Sequence, residues 1–554
     1  YIVPLMIEDI QTFPVLNDKS IYLACKLSRR DRTIPQRFAL VSVPARHLGR
    51  FLLLPGRSDE QNIILLEDVI RFCLPNIFSF FNYDQFSAHL IKVTRDAEID
   101  IDNDISTSLI QKIEKGLKNR KKGRPVRFVF DKDIDIALLT YLVKRMGLSL
   151  KENLVPGGRI HNFKDFMDFP DLAALSKSQR KKPFTHFILK NAGSVTQEVF
   201  EKDVLLNFPY HSFDSVIDLL REAAIDPHVL SIKITCYRLA PRSKVINALT
   251  NAVRNGKQVT VVLELRARFD EEANLMWKAH LEEAGVKVLI GLPNQKVHAK
   301  LCLIKRRVHN VTTHYGFVST GNLNEKTART YCDHCLLTSD RKVMADVNRI
   351  FAYLENPKAS VGFLTACKTL MVCPTGMRRQ LLQLINKEIK NAKHKKSAGI
   401  TLKVNALSDE QLILKLEEAA KAGVEVKLII RGICCMITEN KKFKKPVQAI
   451  SIVDEYLEHA RVMIFHNNGE EKVFISSADW MLRNIDHRVE AACPILEKTI
   501  KNEIIDIINI QLRDNVKARV LNNELNNEYV NPRNKARVRS QVETYHYVFN
   551  KKYS

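Results

Sequence analysis

Beyond residue 185 the chain reads as two successive copies of one strand and helix pattern, and this repetition limits its fold more than any other feature. In the first copy, apolar residues recur at helical spacing from Phe213 to Ala224 and lead into a strand-like run, Val229 to Cys236. A second helical stretch, Lys244 to Asn255, ends at Gly256 and precedes the apolar run Val259 to Leu265. Helical spacing returns in Ala273, Met276, Trp277, Leu281 and Ala284, with Gly285 placed to cap it, before the strand-like Val286 to Ile290. The second copy repeats the order, with helices over Leu381 to Ala392 and Leu412 to Ala422. Its strands cover Ile400 to Asn405, Val424 to Ile430 and, after a basic insertion from Lys441 to Lys445, Ala449 to Val453. Strands alternating with helices predict mixed α/β domains with buried sheets.

Each copy then delivers a histidine and a cation two residues apart. The first reads His298-Ala-Lys-Leu-Cys-Leu-Ile304, followed by Phe317-Val-Ser-Thr-Gly-Asn322. The second reads His459-Ala-Arg-Val-Met-Ile-Phe465, followed by Phe474-Ile-Ser-Ser-Ala-Asp479. On a strand this spacing puts both side chains on one face. Two such units related by pseudo-symmetry can bring His298 and His459 to one cleft. A single His-x-Lys is weak and usually structural; its duplication, with matching hydroxyl-rich segments, points to function. A neutral imidazole is a good nucleophile for phosphorus, and a neighbouring cation compensates the phosphoryl charge. A second histidine would handle a proton or the leaving oxygen.

The bulk properties agree with a soluble, polyanion-handling protein. Lys and Arg outnumber Asp and Glu by 86 to 62, a formal charge of +24 that favours nucleic acid, anionic lipid or a phosphate polymer as partner. No apolar run approaches the ~18 residues of a membrane helix. The eleven cysteines are scattered, and neither Cys332/Cys335 nor Cys434-Cys435 has a second pair at zinc-site spacing, so they read as reduced thiols. With 554 residues the length suggests three domains. A polar, basic stretch from Ser176 to Pro183 marks the first boundary and Gly362 to Cys367 the second, giving domains 1–185, 186–365 and 366–554. A further basic run spans Lys118 to Arg124. The sequence opens on Tyr1 without Met or a signal-peptide pattern, which reads as a truncation point.

Several long motifs then carry a resemblance. Val297-His-Ala-Lys-Leu301, Val318-Ser-Thr-Gly-Asn-Leu-Asn-Glu-Lys-Thr-Ala-Arg329, Arg431-Gly-Ile-Cys-Cys435, Tyr456-Leu-Glu-His-Ala-Arg461 and Ser477-Ala-Asp-Trp-Met481 resemble the signature of type-1 polyphosphate kinases. The likeness runs from Pro4-Leu-Met6 through Gly157-Gly-Arg-Ile-His-Asn-Phe163 and Asn207-Phe-Pro-Tyr-His-Ser-Phe213 to Tyr545-His-Tyr547. It implies an N-terminal head domain followed by two pseudo-symmetric α/β domains similar to phospholipase D. A helical domain, with an asparagine used for the nucleotide, would precede them and is not part of this sequence.

The resemblance also implies roles. His298 matches the phosphorylated histidine and His459 the second active-site histidine, which also serves nucleotide binding. Tyr331 and Arg431 match nucleotide-binding positions. Arg238 and Arg268 match positions of the magnesium-phosphate site, and Lys300, Arg488 and Glu490 match active-site positions that hold phosphate or polyphosphate. Phe317 stands where some members carry a third histidine. The implied partners are ATP, ADP and inorganic polyphosphate, with Mg²⁺ as cofactor, in a homodimer or homotetramer. The implied location is the cytoplasm, with peripheral association to the inner face of the membrane possible. Arginine suits phosphate oxygens with its forked donors. It has no lone pair for a metal, so Arg238 and Arg268 are expected to hold phosphates that Mg²⁺ also binds. Asp270, Glu271 and Glu272 offer carboxylates but sit where a helix start needs them.

Two rival readings fail on residues. A phospholipase D-type phosphodiesterase needs an aspartate after each His-x-Lys, where this chain has Lys305 and His466. A nucleic-acid-binding module has only the charge in its favour, without aromatic and basic interleaving, so no nucleic acid is expected as partner. No Gly-x4-Gly-Lys-Ser/Thr phosphate loop occurs.

Overall fold

The computed structural model describes residues 2–8, 10–17, 20–56, 60, 62–95, 125–149, 153–170, 181–240, 243–265, 271–292, 295–356, 362–531 and 536–551. The basic run Lys118 to Arg124 and the core of the expected linker lie outside them. Two compact units emerge, Tyr1–Arg180 and Lys181–Ser554.

The first unit is built on a six-stranded sheet. Its order is Pro4–Met6, Arg37–Ser42, Ile21–Ser28, Gln85–Arg95, Pro125–Asp131, Leu154–Gly157. Alternation along Ile21–Ser28 divides the two faces. Tyr22 and Ala24 pack towards the helix Ile136–Arg145, with Leu138 and Leu142. Ile21, Leu23, Cys25 and Leu27 pack on the other face with Leu66, Ile70 and Leu74.

The second unit contains the repeat as two sheets of matching strand order. One runs Lys287–Ile290, Gln258–Leu263, Val229–Cys236, Lys300–Val308, Val311–Ser319, Tyr331–Thr338. The other runs Gln448–Ile452, Glu425–Ile430, Gly399–Val404, Arg461–Phe465, Lys472–Ser476, Ala491–Pro494. In each, the first three strands in sequence are parallel and the fourth turns antiparallel against the first. The strand carrying each cation of a histidine motif therefore lies at the middle of its sheet. Helix signals are where the sequence placed them: Ser243 and Asp409 cap their helices through side-chain oxygens, and Gly423 closes the second with φ +101°. One connection differs. The first copy has the helix Glu271–Glu283 between its second and third strands, whereas the second copy crosses from Ile430 to Gln448 without one.

The two sheets share a core. Leu301, Val318 and Leu336 of one copy and Val462, Ile475 and Val489 of the other belong to a single buried cluster. The helices Arg341–Glu355 and Lys498–Leu512 supply Val347, Phe351, Ile504 and Ile508 to it. The two copies are thus joined through one continuous apolar mass. No helix among the described residues is long and apolar enough to cross a membrane.

Burial of uncharged histidines makes this unit acid-sensitive. His186 and His334 are buried, and burial pushes their pKa values down to about 4 and about 3, with Lys551 and Lys403 respectively acting in the same direction. In the unfolded chain they take up protons near pH 6.5. The unfolded state therefore binds more protons between about pH 6.5 and about pH 4, and stability falls as pH drops through that window. Thermal unfolding followed by calorimetry is expected to give a Tm that declines steadily from neutral pH towards pH ~5. A flat or rising Tm there would contradict this.

Candidate functional site

Each histidine sits in a short break between two strands rather than on one. His298 follows the two-residue strand Lys296–Val297, and His459 follows Leu457–Glu458. Lys300 and Arg461 open the next strands, so the expected single-strand face is replaced by a kink. The kink lets the cation fold back: Lys300 Nζ donates to the His298 carbonyl, and Arg461 Nη1 donates to the His459 carbonyl at 2.8 Å.

Both short strands cross over to the opposite copy. Lys296–Val297 pairs in parallel with Arg488–Val489, and Leu457–Glu458 pairs in parallel with Tyr331–Cys332. The N–H groups of His298 and Ala299 both donate to the Val489 carbonyl, and those of His459 and Ala460 both donate to the Cys332 carbonyl. This exchange places a carboxylate of each copy beneath the histidine of the other. His298 Nδ1 is 2.9 Å from Glu490 Oε2, and His459 Nδ1 is 2.8 Å from Asp333 Oδ2.

The carboxylates are held in matching ways. Thr320 donates to Asp333 and Ser477 to Glu490, each hydroxyl thirteen residues before its carboxylate. These are the hydroxyl-rich segments singled out in the sequence. Asn484 Nδ2 adds a bond of 2.8 Å to Glu490 Oε1. Burial alone would raise both carboxyl pKa values, but His298 and Lys300 at Glu490, and His459 and Thr320 at Asp333, hold them below the usual range. An ionised carboxylate only accepts, so Nδ1 of each histidine is the N–H and Nε2 carries the lone pair. Burial lowers both imidazole pKa values, helped by Lys300 and Arg488 at His298 and by Arg461 at His459, so both rings are neutral.

The copies differ at the ring. Arg461 Nη1 lies 3.2 Å from Nδ1 and 3.0 Å from Nε2 of His459, over the ring rather than along the Nε2 lone pair, and sets its positive charge against the imidazole. Among the described residues nothing bonds Nε2 of His298. Arg461 is itself pinned by Asp479, at 3.0 Å, whereas the corresponding residue beside Lys300 is the uncharged Asn322. Lys300 is 2% exposed, and burial pushes its ammonium pKa well down, opposed by Glu490. It feels Glu490 and Arg488 as well as Arg461 and Asp333, so the two histidine sites form one charged cluster.

The other expected residues divide between the two sides. Tyr331 stacks at a tilt on His459 with 5.2 Å between ring centres. Arg431 donates from Nε to Asn405 at 3.0 Å and is close enough to Tyr331 to be influenced by it. On the His298 side, Tyr237 meets the imidazole edge to face at 5.0 Å, and Arg238 lies over the Tyr237 ring at 5.7 Å. Arg488 Nη1 is 3.8 Å from Glu490. Arg268 and Asp270 lie outside the described residues. Lys305 lies opposite His314 of the neighbouring strand, and His466 caps a turn at Gly469, so neither supplies a carboxylate at the place of a missing aspartate.

Asp333 and Tyr237 were not picked out by the sequence. The signal for Asp333 was present: Tyr331-Cys-Asp333 and Arg488-Val-Glu490 are equivalent triplets at equal distance from their hydroxyls.

The donor set bears on magnesium. Among the described residues no group of three or more His, Cys, Asp or Glu side chains could hold a metal ion. Asp333 and Glu490 are committed to histidines, Glu271 is buried in the first turn of its helix, and Arg238 has no lone pair. Arg238 therefore keeps its expected place as a holder of phosphates that Mg²⁺ also binds, not as a metal ligand. These residues suit a divalent ion that arrives on the phosphates of a nucleotide.

Known proteins fit this picture. Family models for the polyphosphate kinase middle domain, C-terminal domain 1 and C-terminal domain 2 match residues 1–169, 194–360 and 370–541. Polyphosphate kinases of Vibrio parahaemolyticus and Escherichia coli are each 43% identical over 555 residues, spanning 99% of this chain and 79% and 80% of those proteins. The crystal structure of polyphosphate kinase from Porphyromonas gingivalis superposes with a TM-score of 0.83 at 34% identity, covering 99% of this chain and 80% of that one. Sequence, fold and paired histidine sites together place this chain in the polyphosphate kinase family.

Proposed function

We propose that the enzyme transfers the γ-phosphoryl group of ATP to inorganic polyphosphate, reversibly, through a phosphohistidine on His298. The observation that carries this reading is the His298 Nδ1 bond to the Glu490 carboxylate at 2.9 Å, which leaves the Nε2 lone pair with no donor among the described residues, while His459 has the Arg461 guanidinium over its ring. Nε2 of His298 attacks the γ-phosphorus, the bond to the β,γ-bridging oxygen breaks, and ADP leaves with that oxygen. The phosphorylated ring becomes cationic in character, and Glu490 at Nδ1 stabilises it. A terminal oxygen of polyphosphate then attacks the phosphorus in line and the N–P bond breaks. Arg238 and Arg488 neutralise phosphate charge on this side. Tyr331 and Arg431 hold the nucleotide, Tyr331 by stacking on the base and Arg431 by its guanidinium. His459, steered by Asp333 and Arg461, assists the leaving oxygen. Mg²⁺ bound with the nucleotide would supply further screening of phosphate charge, beside that given by Arg238 and Arg488.

The test is incubation with γ-labelled ATP and Mg²⁺. Label that is acid-labile and base-stable, and that is discharged by unlabelled polyphosphate or ADP, is expected. Absence of such label during active synthesis would mean direct transfer without a covalent intermediate.

A further inference from the structure

The basic insertion that the repeat left unexplained lies at the far end of the second sheet from the histidines. Arg431, Asn405 and Arg461 mark one end of the strands Gly399–Val404, Glu425–Ile430 and Arg461–Phe465. The opposite end is made by the starts of the parallel strands and by the turn 466–471. The six-residue strand Gly399–Val404 separates these ends by roughly 20 Å.

That far end is rimmed by lysine. The helix-free crossover returns there, because Thr438 Oγ1 donates to the Leu521 carbonyl and Lys444 N donates to the Ala420 carbonyl. It presents Lys441, Lys442, Lys444 and Lys445, all exposed. Next to it, Glu425 N donates to the Ala398 carbonyl, which brings up the exposed segment Lys393-His-Lys-Lys396. Buried Glu388 fixes that segment by accepting from the N–H groups of Gly399 and Asn467. Lys472 extends the rim on the next strand pair. The rim crosses five neighbouring strands, a width of roughly 20 Å. Exposed Glu425 and Glu470 also lie at this end, and Glu425 is bound to Lys427. Among the described residues none of the lysines of the crossover or of the 393–396 segment takes part in an ion pair.

We infer that this rim is a second binding site for the polyphosphate chain, engaged only by chains long enough to reach it from the histidines. It rests on polyphosphate being the substrate. Among the described residues 393–396 and 438–447 the positive charges are lysines on flexible stems, with no arginine and no exposed Phe, Tyr or Trp ring, which suits a flexible polyanion of uniform phosphate units. Nucleic acid would want aromatic stacking, and the one aromatic residue of the loop, Phe443, is half-buried against the domain core.

The experiment compares the whole chain with the sixfold variant Lys395→Gln, Lys396→Gln, Lys441→Gln, Lys442→Gln, Lys444→Gln, Lys445→Gln, and with the sixfold Lys→Arg variant. Steady-state kinetics would use long-chain polyphosphate and a chain of only a few phosphates at low ionic strength. Expected is a KM for the long chain raised roughly tenfold in the glutamine variant, with kcat, the KM for ATP and the KM for the short chain unchanged, and restoration by arginine. The salt dependence of the long-chain KM should also become shallower. Equal long-chain KM values in wild type and glutamine variant would overturn the inference. So would lysine-dependent binding to phosphatidylserine vesicles or duplex DNA with unchanged long-chain kinetics. A wild-type enzyme that elongates no polyphosphate of any length would instead remove the underlying reading of the substrate.

Discussion

Replacing His298 with alanine is expected to eliminate both the covalent phosphoryl label and polyphosphate synthesis, lowering kcat by a factor on the order of 10⁴ or more. In the proposed reaction Nε2 of this residue attacks, and His459 is a poorer substitute because the Arg461 guanidinium lies over its ring, 3.2 Å from Nδ1 and 3.0 Å from Nε2. The fold should survive the change. The ring is neutral, so its removal strands no charge of its own, and Glu490 keeps Ser477 and Asn484 as donors. Label and turnover measured alongside circular dichroism check this. A His298→Ala enzyme that still forms acid-labile label would mean that the nucleophile lies elsewhere.

The second large effect falls on a glycine. A Cβ at Gly321 would lie 2.2 Å from Oδ2 and 2.3 Å from Cγ of Asp333, distances no side chain can share. Asp333 cannot retreat cheaply, because it is buried and tied to Thr320 and His459. Gly321→Ala is therefore expected to cost about 1–3 kcal/mol of stability and to push Asp333 off His459. Activity should fall roughly a hundredfold through loss of the assisting histidine's tautomer and orientation. Asp333→Asn should reproduce the kinetic loss with a smaller change in Tm. If Gly321→Ala retained wild-type kcat, the Asp333–His459 contact would have no part in turnover.

The architecture was largely legible because the repeat imposes its own check. Strand limits such as Val229–Cys236 and the αL cap at Gly423 follow from local rules of period and capping, which act within a few residues. The missing helix between Ile430 and Gln448 was flagged only as an insertion, since four lysines and a proline leave no apolar face to pack. The histidines, their cations and the hydroxyl segments were visible as duplicated motifs. Their pairing was not: Glu490 lies 192 residues from His298, and Asp333 lies 126 from His459.

By itself the sequence determined the residue types and their twofold repetition, and through them two α/β halves each offering a nucleophilic ring, a cation and a hydroxyl. Local periodicity and chemistry suffice for that. Only the tertiary structure decided how each ring is held. The two short strands exchange between halves, so each carboxylate serves the other half's histidine. The Asp479–Arg461 pair, whose place in the first copy is taken by Asn322 and Lys300, then sets a guanidinium over the ring of His459. That distinction depends on contacts across the chain, where sequence spacing carries no distance.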